Sequence, residues 1–441
     1  MLYCLTCKEI DHTAMRFEHL IFINRTFCLR ELSILFNFAS KYQRDMFKRK
    51  QFDELVSRIA EPRNKIQVIS GPRQVGKSTM VKQVLAESTI PHLLLTADNV
   101  PPSDTAWIGE MWNTARSQMK LRRAEEFLLV IDEVHKIDNW SEAVKKEWDA
   151  DTYADVNIKV VLLGSSRLLL KDGLTESLAG RYELIRMPHW SYAEMHEAFG
   201  IDIDRYIFFG GYPGGVSFMN SESRWRRYVK DSIVAPAIER DILMTKVVYK
   251  PELMRQLFEL GCTYSGEEIS LTKLLGQLQD VGNVTTLANY LTTLDESRLL
   301  CGMHKYAADN ARKYNSIPKM MVYNTALLSA LSGVTFGKTF TTPKAWGRWV
   351  ESAVGAHLLN LADELDFRLY YWRERNDEVD FIIEHNRRCI AIEVKSGRRT
   401  TNSGMSVFAQ KFNPKHAFVV GSGGISVEEF FMADLEALLE E

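Results

Sequence analysis

Gly71-Pro72-Arg73-Gln74-Val75-Gly76-Lys77-Ser78 follows the apolar run Ile66-Gln67-Val68-Ile69 and leads into Thr79-Met80-Val81-Lys82-Gln83-Val84-Leu85, a stretch that predicts a helix. The spacing G-x-x-x-x-G-K-S between a strand and a helix suits one class of ligand. Its glycines let backbone N–H groups turn inward around phosphate oxygens, and the helix beginning at Lys77 points its positive end at them. Gly71, Pro72, Arg73, Gln74, Val75, Gly76, Lys77, Ser78 and Thr79 are therefore the expected cradle for a nucleoside triphosphate, ATP. Lys77 would reach the β- and γ-phosphates, and Ser78 would ligate Mg²⁺.

A phosphate loop of this kind needs acidic partners. The run Phe127-Leu128-Leu129-Val130-Ile131 ends in Asp132 and Glu133, about 55 residues after Lys77. Asp132 at a strand end would hold Mg²⁺, often through water, and Glu133 would orient and deprotonate the attacking water. In Gly164-Ser165-Ser166-Arg167, Ser165 is either a γ-phosphate sensor or an ordinary turn serine. Arg181, closing Ser177-Leu178-Ala179-Gly180-Arg181, is either a surface arginine or a group that stabilises transition-state charge, in cis or in a neighbouring subunit. The trans role makes hydrolysis depend on a homo-oligomer.

The chain has 441 residues, 46% apolar and 25% charged, with a formal net charge of -2. Length predicts about three domains, and composition excludes a largely disordered protein. The charge balance confines any DNA contact to local basic patches. Six scattered cysteines fit a reducing cytoplasm better than a disulfide framework. Cys4-x-x-Cys7 lacks the second regularly spaced pair that a zinc site requires. The most apolar N-terminal stretch, around Leu20 to Phe38, is interrupted by Arg25, Arg30 and Glu31, so no membrane span is expected.

Residues 1–45 carry no motif and are either an added helical arm or the product of a translation start placed ahead of Met46. From 46 to 205, apolar runs at Ile66–Ile69, His92–Leu95, Phe127–Ile131, Lys159–Leu163 and Glu183–Met187 alternate with helical stretches, the pattern of a parallel sheet flanked by helices. Gly210-Gly211-Tyr212-Pro213-Gly214-Gly215 marks a junction or hinge through which nucleotide state would move the later domains. The next region, 206–315, reads as helical. Within it, Ile269–Leu275 and Val284–Leu294 outline a helix-turn-helix, which is either a packing module or a DNA reader using Thr285, Thr286 and Asn289, with Arg298 near phosphate. From 316 to 441 a second α/β pattern has a helix over Trp346–Leu361, strands at Arg368–Trp372, Glu378–Ile383, Cys389–Val394 and His416–Val420, and a closing acidic helix, Val427–Glu441.

Five of these motifs occur in order and resemble the prokaryotic AAA-type ATPases that carry a C-terminal domain of uncharacterised function. They are Gly71–Ser78, Asp132-Glu133-Val134-His135-Lys136-Ile137-Asp138-Asn139-Trp140, Gly164-Ser165-Ser166, Leu178-Ala179-Gly180-Arg181-Tyr182 and Gly210-Gly211-Tyr212-Pro213. The resemblance covers the chain from about residue 45 onward. It implies an ATPase core with a parallel sheet, a winged-helix-like middle and a restriction-nuclease-like end, and nothing for residues 1–45.

The last part looks like the paired strands of the PD-(D/E)xK nucleases. Asp380 ends Asp377-Glu378-Val379-Asp380, and Glu393 and Lys395 stand in Glu393-Val394-Lys395 after a short turn. In a hairpin this spacing brings both carboxylates to one end of the sheet, and Glu351 on the preceding helix would complete the cluster. Such oxygens suit a second Mg²⁺ or Mn²⁺, with Lys395 steadying charge on phosphate rather than binding metal. The domain either cleaves DNA or keeps the fold only to bind nucleic acid or a partner. The whole chain then reads in two ways: an Mg²⁺-dependent ATPase coupled to a DNA-associated nuclease-like domain, or a non-hydrolysing nucleotide switch whose nuclease-like domain is inert.

Overall fold

The five apolar runs between Ile66 and Met187 are five parallel strands: β1 (Ile66–Ser70), β2 (His92–Thr96), β3 (Phe127–Asp132), β4 (Ile158–Gly164) and β5 (Tyr182–Arg186), in the order β2-β3-β4-β1-β5. This comes from a computed structural model that describes residues 47–164, 177–243, 248–279, 282–308, 316–397 and 403–440. Residues 1–45, with the Cys4-x-x-Cys7 pair, and Ser165 lie outside the described residues.

Burial follows strand position. β1 and β4 are buried throughout and β3 is buried up to Ile131, whereas the edge strands β2 and β5 are mostly half-buried. Continuous apolar runs of this kind belong to strands covered on both faces. The covering helices are α1 (Gln51–Ala60), α2 (Lys77–Glu87), α3 (Trp107–Arg122) and α4 (Trp140–Tyr153). Trp112, Val144 and Trp148 pack on Ile66, Leu129, Ile131 and Leu162. Each large side chain so buried contributes about 1.5–3 kcal/mol. In this order β4 lies between β1 and β3, so the loops leaving β1 and β3 flank one crevice at the carboxyl ends of the strands, where open α/β sheets place their ligands.

Beyond the sheet come α5 (Tyr192–Phe199), α6 (Ile203–Phe209) and α7 (Glu222–Tyr228), then π-helical turns at Val229–Val234 and Ala237–Ile242, and α8 (Pro251–Thr263), α9 (Leu271–Leu275) and α10 (Val284–Glu296). Here the structure departs from an all-helical reading. Arg298, with φ of 58°, turns the chain out of α10 into β6 (Leu300–Met303), which pairs antiparallel with β7 (Lys319–Val322). The glycine junction also differs from the expected hinge. Gly210 has φ of 70°, and a Cβ there would stand 2.0 Å from Asn324 Oδ1; Asn324 Oδ1 accepts from Gly211 N at 3.1 Å. These glycines permit a tight backbone crossing, and residues 207–212 are buried. Phe208 and Phe209 then meet Trp225 and Phe336 in an aromatic cluster that Trp349 stacks upon.

The remaining elements are α11 (Thr325–Ser332), α12 (Phe336–Phe340), α13 (Pro343–Ala362), β8 (Arg368–Glu374), β9 (Asp377–His385), β10 (Arg388–Lys395), α14 (Ser403–Phe412), β11 (His416–Gly421), α15 (Val427–Met432) and α16 (Leu435–Glu440). The sheet runs β11-β10-β9-β8, with β11 parallel to β10 and the other pairs antiparallel. The single closing helix is in fact two. Ala433 is extended, and Asp434 restarts the helix by accepting from Glu436 N at 3.0 Å. From Arg49 to Glu441 the chain forms one compact unit. Among the described residues no helix is long and apolar enough to cross a membrane.

Candidate functional site

The loop after β1 and the acids ending β3 meet in the crevice. Gly76 has φ of 94°, with nothing within 4 Å of an added Cβ, so conformation rather than space requires glycine there. Lys77, at the first turn of α2 and 7% exposed, donates from Nζ to the carbonyls of Gly71 and Pro72, each at 2.8 Å. Ser78 Oγ donates to Asp132 Oδ2 at 2.6 Å, and Asp132 Oδ1 accepts from Glu133 N at 2.9 Å. One hydroxyl and one carboxylate from opposite sides of the crevice thus touch, a pair of hard oxygens suited to Mg²⁺. When bound, the ion would neutralise charge on the β- and γ-phosphates.

Glu133 holds a left-handed conformation, φ 55°, that non-glycine residues seldom adopt. Its Oε2 is buried without a hydrogen-bond partner among the described residues, 3.4 Å from His135 Nε2. Burial raises the Glu133 carboxyl above its ordinary value, against the pull of Lys77 and with Asp132 adding to the rise. His135 is held down to about 3, by burial first and then by Lys136, Lys77 and Arg73. The imidazole is therefore neutral, and Glu133 is a desolvated carboxylate facing a cationic loop. That is the environment of a group poised to position a water or take its proton.

Several contacts on the loop escaped the sequence reading. Val75 O accepts from Trp190 Nε1 at 2.9 Å and from Arg49 Nη1 at 3.3 Å. Arg49 forks onto Glu194 at 2.8 and 2.9 Å. Glu194 also completes the capping box of α5 with Ser191. On the other side, Gln74 Nε2 donates to Ser232 O at 3.0 Å, and Tyr228 OH donates to Gln74 Oε1. The S-x-x-E spacing at Ser191 was the one legible signal; Arg49 was hidden in a basic cluster.

Arg181 needs correction. Its carbonyl accepts from Ile66 N, at the end of β1 opposite the loop, and its guanidinium forks onto Asp149 at 2.8 and 3.0 Å. A strand of five residues, roughly 3.3 Å each, separates it from the phosphate loop of its own chain, which removes the cis role. Arg298 is likewise spoken for: it donates to Tyr323 OH at 2.7 Å and pairs with Asp363. It does not reach out to phosphate beside α10, where Thr285 and Asn289 are exposed and Thr286 is half-buried.

The C-terminal cluster is assembled differently from the expected metal centre. Lys319 on β7, 1% exposed, places Nζ 2.5 Å from Glu351 Oε1 and 3.5 Å from both Glu378 Oε1 and Asp380 Oδ1. Asp380 Oδ2 accepts from Val394 N at 2.7 Å, and Lys395 pairs with Glu393 at 3.3 Å. Burial alone would lower the Lys319 ammonium, but Glu351, Asp380 and Glu378 outweigh it and hold it well above its ordinary value. Among the described residues no group of three or more His, Cys, Asp or Glu is arranged to hold a metal. The residues do not fit a second Mg²⁺ or Mn²⁺, because a protonated amine already sits among the carboxylates.

Residues 63–196 match the AAA domain family, residues 200–337 a domain of unknown function (DUF8612) and residues 346–430 another (DUF4143). Uncharacterized proteins of Mycobacterium bovis and Mycobacterium tuberculosis are each 26% identical over 342 residues, 77% of this chain and 72% of theirs. A Haemophilus influenzae uncharacterized protein is 22% identical over 258 residues, 55% of this chain and 62% of that one. Among solved structures, the Aeropyrum pernix ORC1 protein in complex with DNA has a TM-score of 0.32 at 12% identity, over 68% of this chain and 96% of that one. Thermotoga maritima RuvB has a TM-score of 0.29 at 16% identity, over 57% and 85%. Residues 63–196 are thus similar to AAA domains, and the Gly71–Ser78 loop with Lys77, Ser78 and Asp132 has the arrangement that a P-loop offers a nucleotide.

Proposed function

We propose that this chain hydrolyses ATP with Mg²⁺ and uses the nucleotide state to act on the regions that follow the sheet. The observation that carries the reading is the convergence of Lys77, Ser78 and Asp132 on one crevice with a desolvated Glu133 beside them. Lys77 and the loop amides hold the phosphates, Ser78 and Asp132 hold the ion, and Glu133 handles the water. Gln74, tied to Tyr228 and Ser232, supplies the link from loop to helices. Regions 46–205, 206–315 and 316–441 then act as motor, coupler and effector. The partner is DNA, met through the exposed Thr285 and Asn289 face of α10 in the coupler or through the C-terminal sheet of the effector. Lys319 favours an effector that binds without metal-dependent cutting. Arg181, far from its own loop, would serve the nucleotide of a neighbouring copy once released from Asp149.

A phosphate-release assay on the full chain tests this directly. Turnover in the wild type, lost in Lys77→Ala and in Glu133→Gln, supports hydrolysis; tight ATP binding with no turnover in the wild type points instead to the non-hydrolysing switch. Mass in solution with and without ATP tests the neighbour's role of Arg181, which requires assembly.

A further inference from the structure

At the end of the C-terminal sheet away from Glu393 and Lys395, the β9–β10 turn, the start of β11 and α16 enclose a cleft of about 380 Å³. Its lining is His385, Asn386, Arg388, Ile390, Lys415 and Leu439. The volume falls within the roughly 300–1,000 Å³ range of small-molecule sites. Among the described residues, two full cations and no carboxylate line it, in a chain whose 57 acidic residues outnumber its 55 Lys and Arg.

The polar groups there are set up as donors. Lys415 Nζ is buried and has no hydrogen-bond partner among the described residues. A buried donor left without a hydrogen bond is costly, so a partner is expected in the cleft. Backbone pairing fixes the base of that side chain, since Lys415 N donates to Cys389 O at 2.8 Å. His385 Nδ1 lies 3.1 Å from Asp366 O, and its Nε2 lies 2.7 Å from Asn386 Nδ2. These partners suit Nδ1–H as donor and Nε2 as acceptor, and leave the second N–H of the Asn386 amide for the cleft. Arg388, exposed at the mouth, adds a planar fork that matches phosphate oxygens.

We propose that this cleft is an anion site that takes a phosphate group between Lys415 and Arg388, supplied by a small phosphate ester or by a nucleic-acid backbone. It is separate from the phosphate loop and from the Lys319 cluster. The test uses the full chain carrying Lys77→Ala, which silences the loop, with inorganic phosphate as probe at constant ionic strength. Its thermal midpoint rises with phosphate concentration, as a site that binds only the folded state requires. Adding Lys415→Gln or Arg388→Gln weakens the apparent phosphate affinity by about tenfold or more each, the scale of a charge-assisted hydrogen bond. An unchanged phosphate response in those chains overturns the proposal.

Folding is checked independently. Lys415→Met without phosphate is at least as stable as its parent, because it removes a buried donor that has no hydrogen bond; a marked loss of stability shows that the amine is already satisfied and also overturns the site. Adenosine monophosphate that shifts the parent but not the Arg388→Gln chain assigns the cleft to small phosphate esters. A DNA duplex that does so with a steep salt dependence assigns it to the backbone. A response to inorganic phosphate but to neither of these marks an adventitious ion only and defeats the proposal.

Discussion

Lys77 and Lys319 are both buried, 7% and 1% exposed, but one is held by neutral carbonyls and the other by carboxylates. The carbonyls of Gly71 and Pro72 lose little when an ammonium leaves them, and phosphate oxygens offer it bonds roughly twice as strong. Lys319 cannot leave on such terms, because its departure strands Glu351, Glu378 and Asp380 without a cation. The first lysine is a movable ligand and the second a permanent counter-ion. Two regions that both read as catalytic in sequence therefore separate by what the amine is bonded to.

The largest effects that would break or sharpen this contrast lie in the crevice. Glu133→Gln leaves ATP binding near wild type and slows phosphate release by about 10²–10⁴-fold, the range for a lost general base. Lys77→Ala weakens ATP binding by about 100-fold in a direct titration. Wild-type affinity in that variant would remove the movable-ligand description.

In the other region the readout is stability. Lys319→Met lowers the unfolding free energy by about 3–5 kcal/mol in a denaturant titration at neutral pH, the cost of breaking a buried pair. A variant that unfolds like the wild type means the acids are already neutral. Burial raises Glu351 to about 7, against the pull of Lys319. A carboxyl whose folded value is raised binds more protons folded than unfolded, so its share of stability is full below the unfolded value near 4.5 and falls as pH rises towards 7. Glu351→Gln flattens that decline, which is at most about 1.4 kcal/mol per pH unit for one group. An unchanged slope assigns the titration elsewhere.

The smallest effect concerns the coupling of the loop. Tyr228→Phe deletes the hydroxyl on Gln74 and changes ATP affinity by a few fold, about 1 kcal/mol. No change in affinity, together with no change in how nucleotide protects residues 229–242 from hydrogen exchange, severs Gln74 from the helices.

Much of the first sheet was legible because β1, β3 and β4 are covered on both faces and so read as unbroken apolar runs, and because Gly71–Ser78 and Asp132-Glu133 carry their chemistry in consecutive residues. Strand order was not, since nothing local specifies that β4 sits between β1 and β3. β6 and β7 were missed because each is only four residues long and gains its burial from the other. Lys319 escaped for a similar reason. Its meaning depends on three carboxylates from α13 and β9, and no motif spans that separation. Arg181 shows the converse for the cis role: the residue type suited the task, but β5 starts at the end of the sheet away from the loop of its own chain. In the closing helix, acidic helix-formers masked the preference of Asp434 for a cap.

The indole of Trp190 is bonded to the carbonyl of Val75 inside the phosphate loop. Any ligand that reshapes those turns must alter the field around that ring. Its emission, isolated by subtracting a Trp190→Phe chain, is therefore a built-in optical gauge of occupancy that needs no attached label.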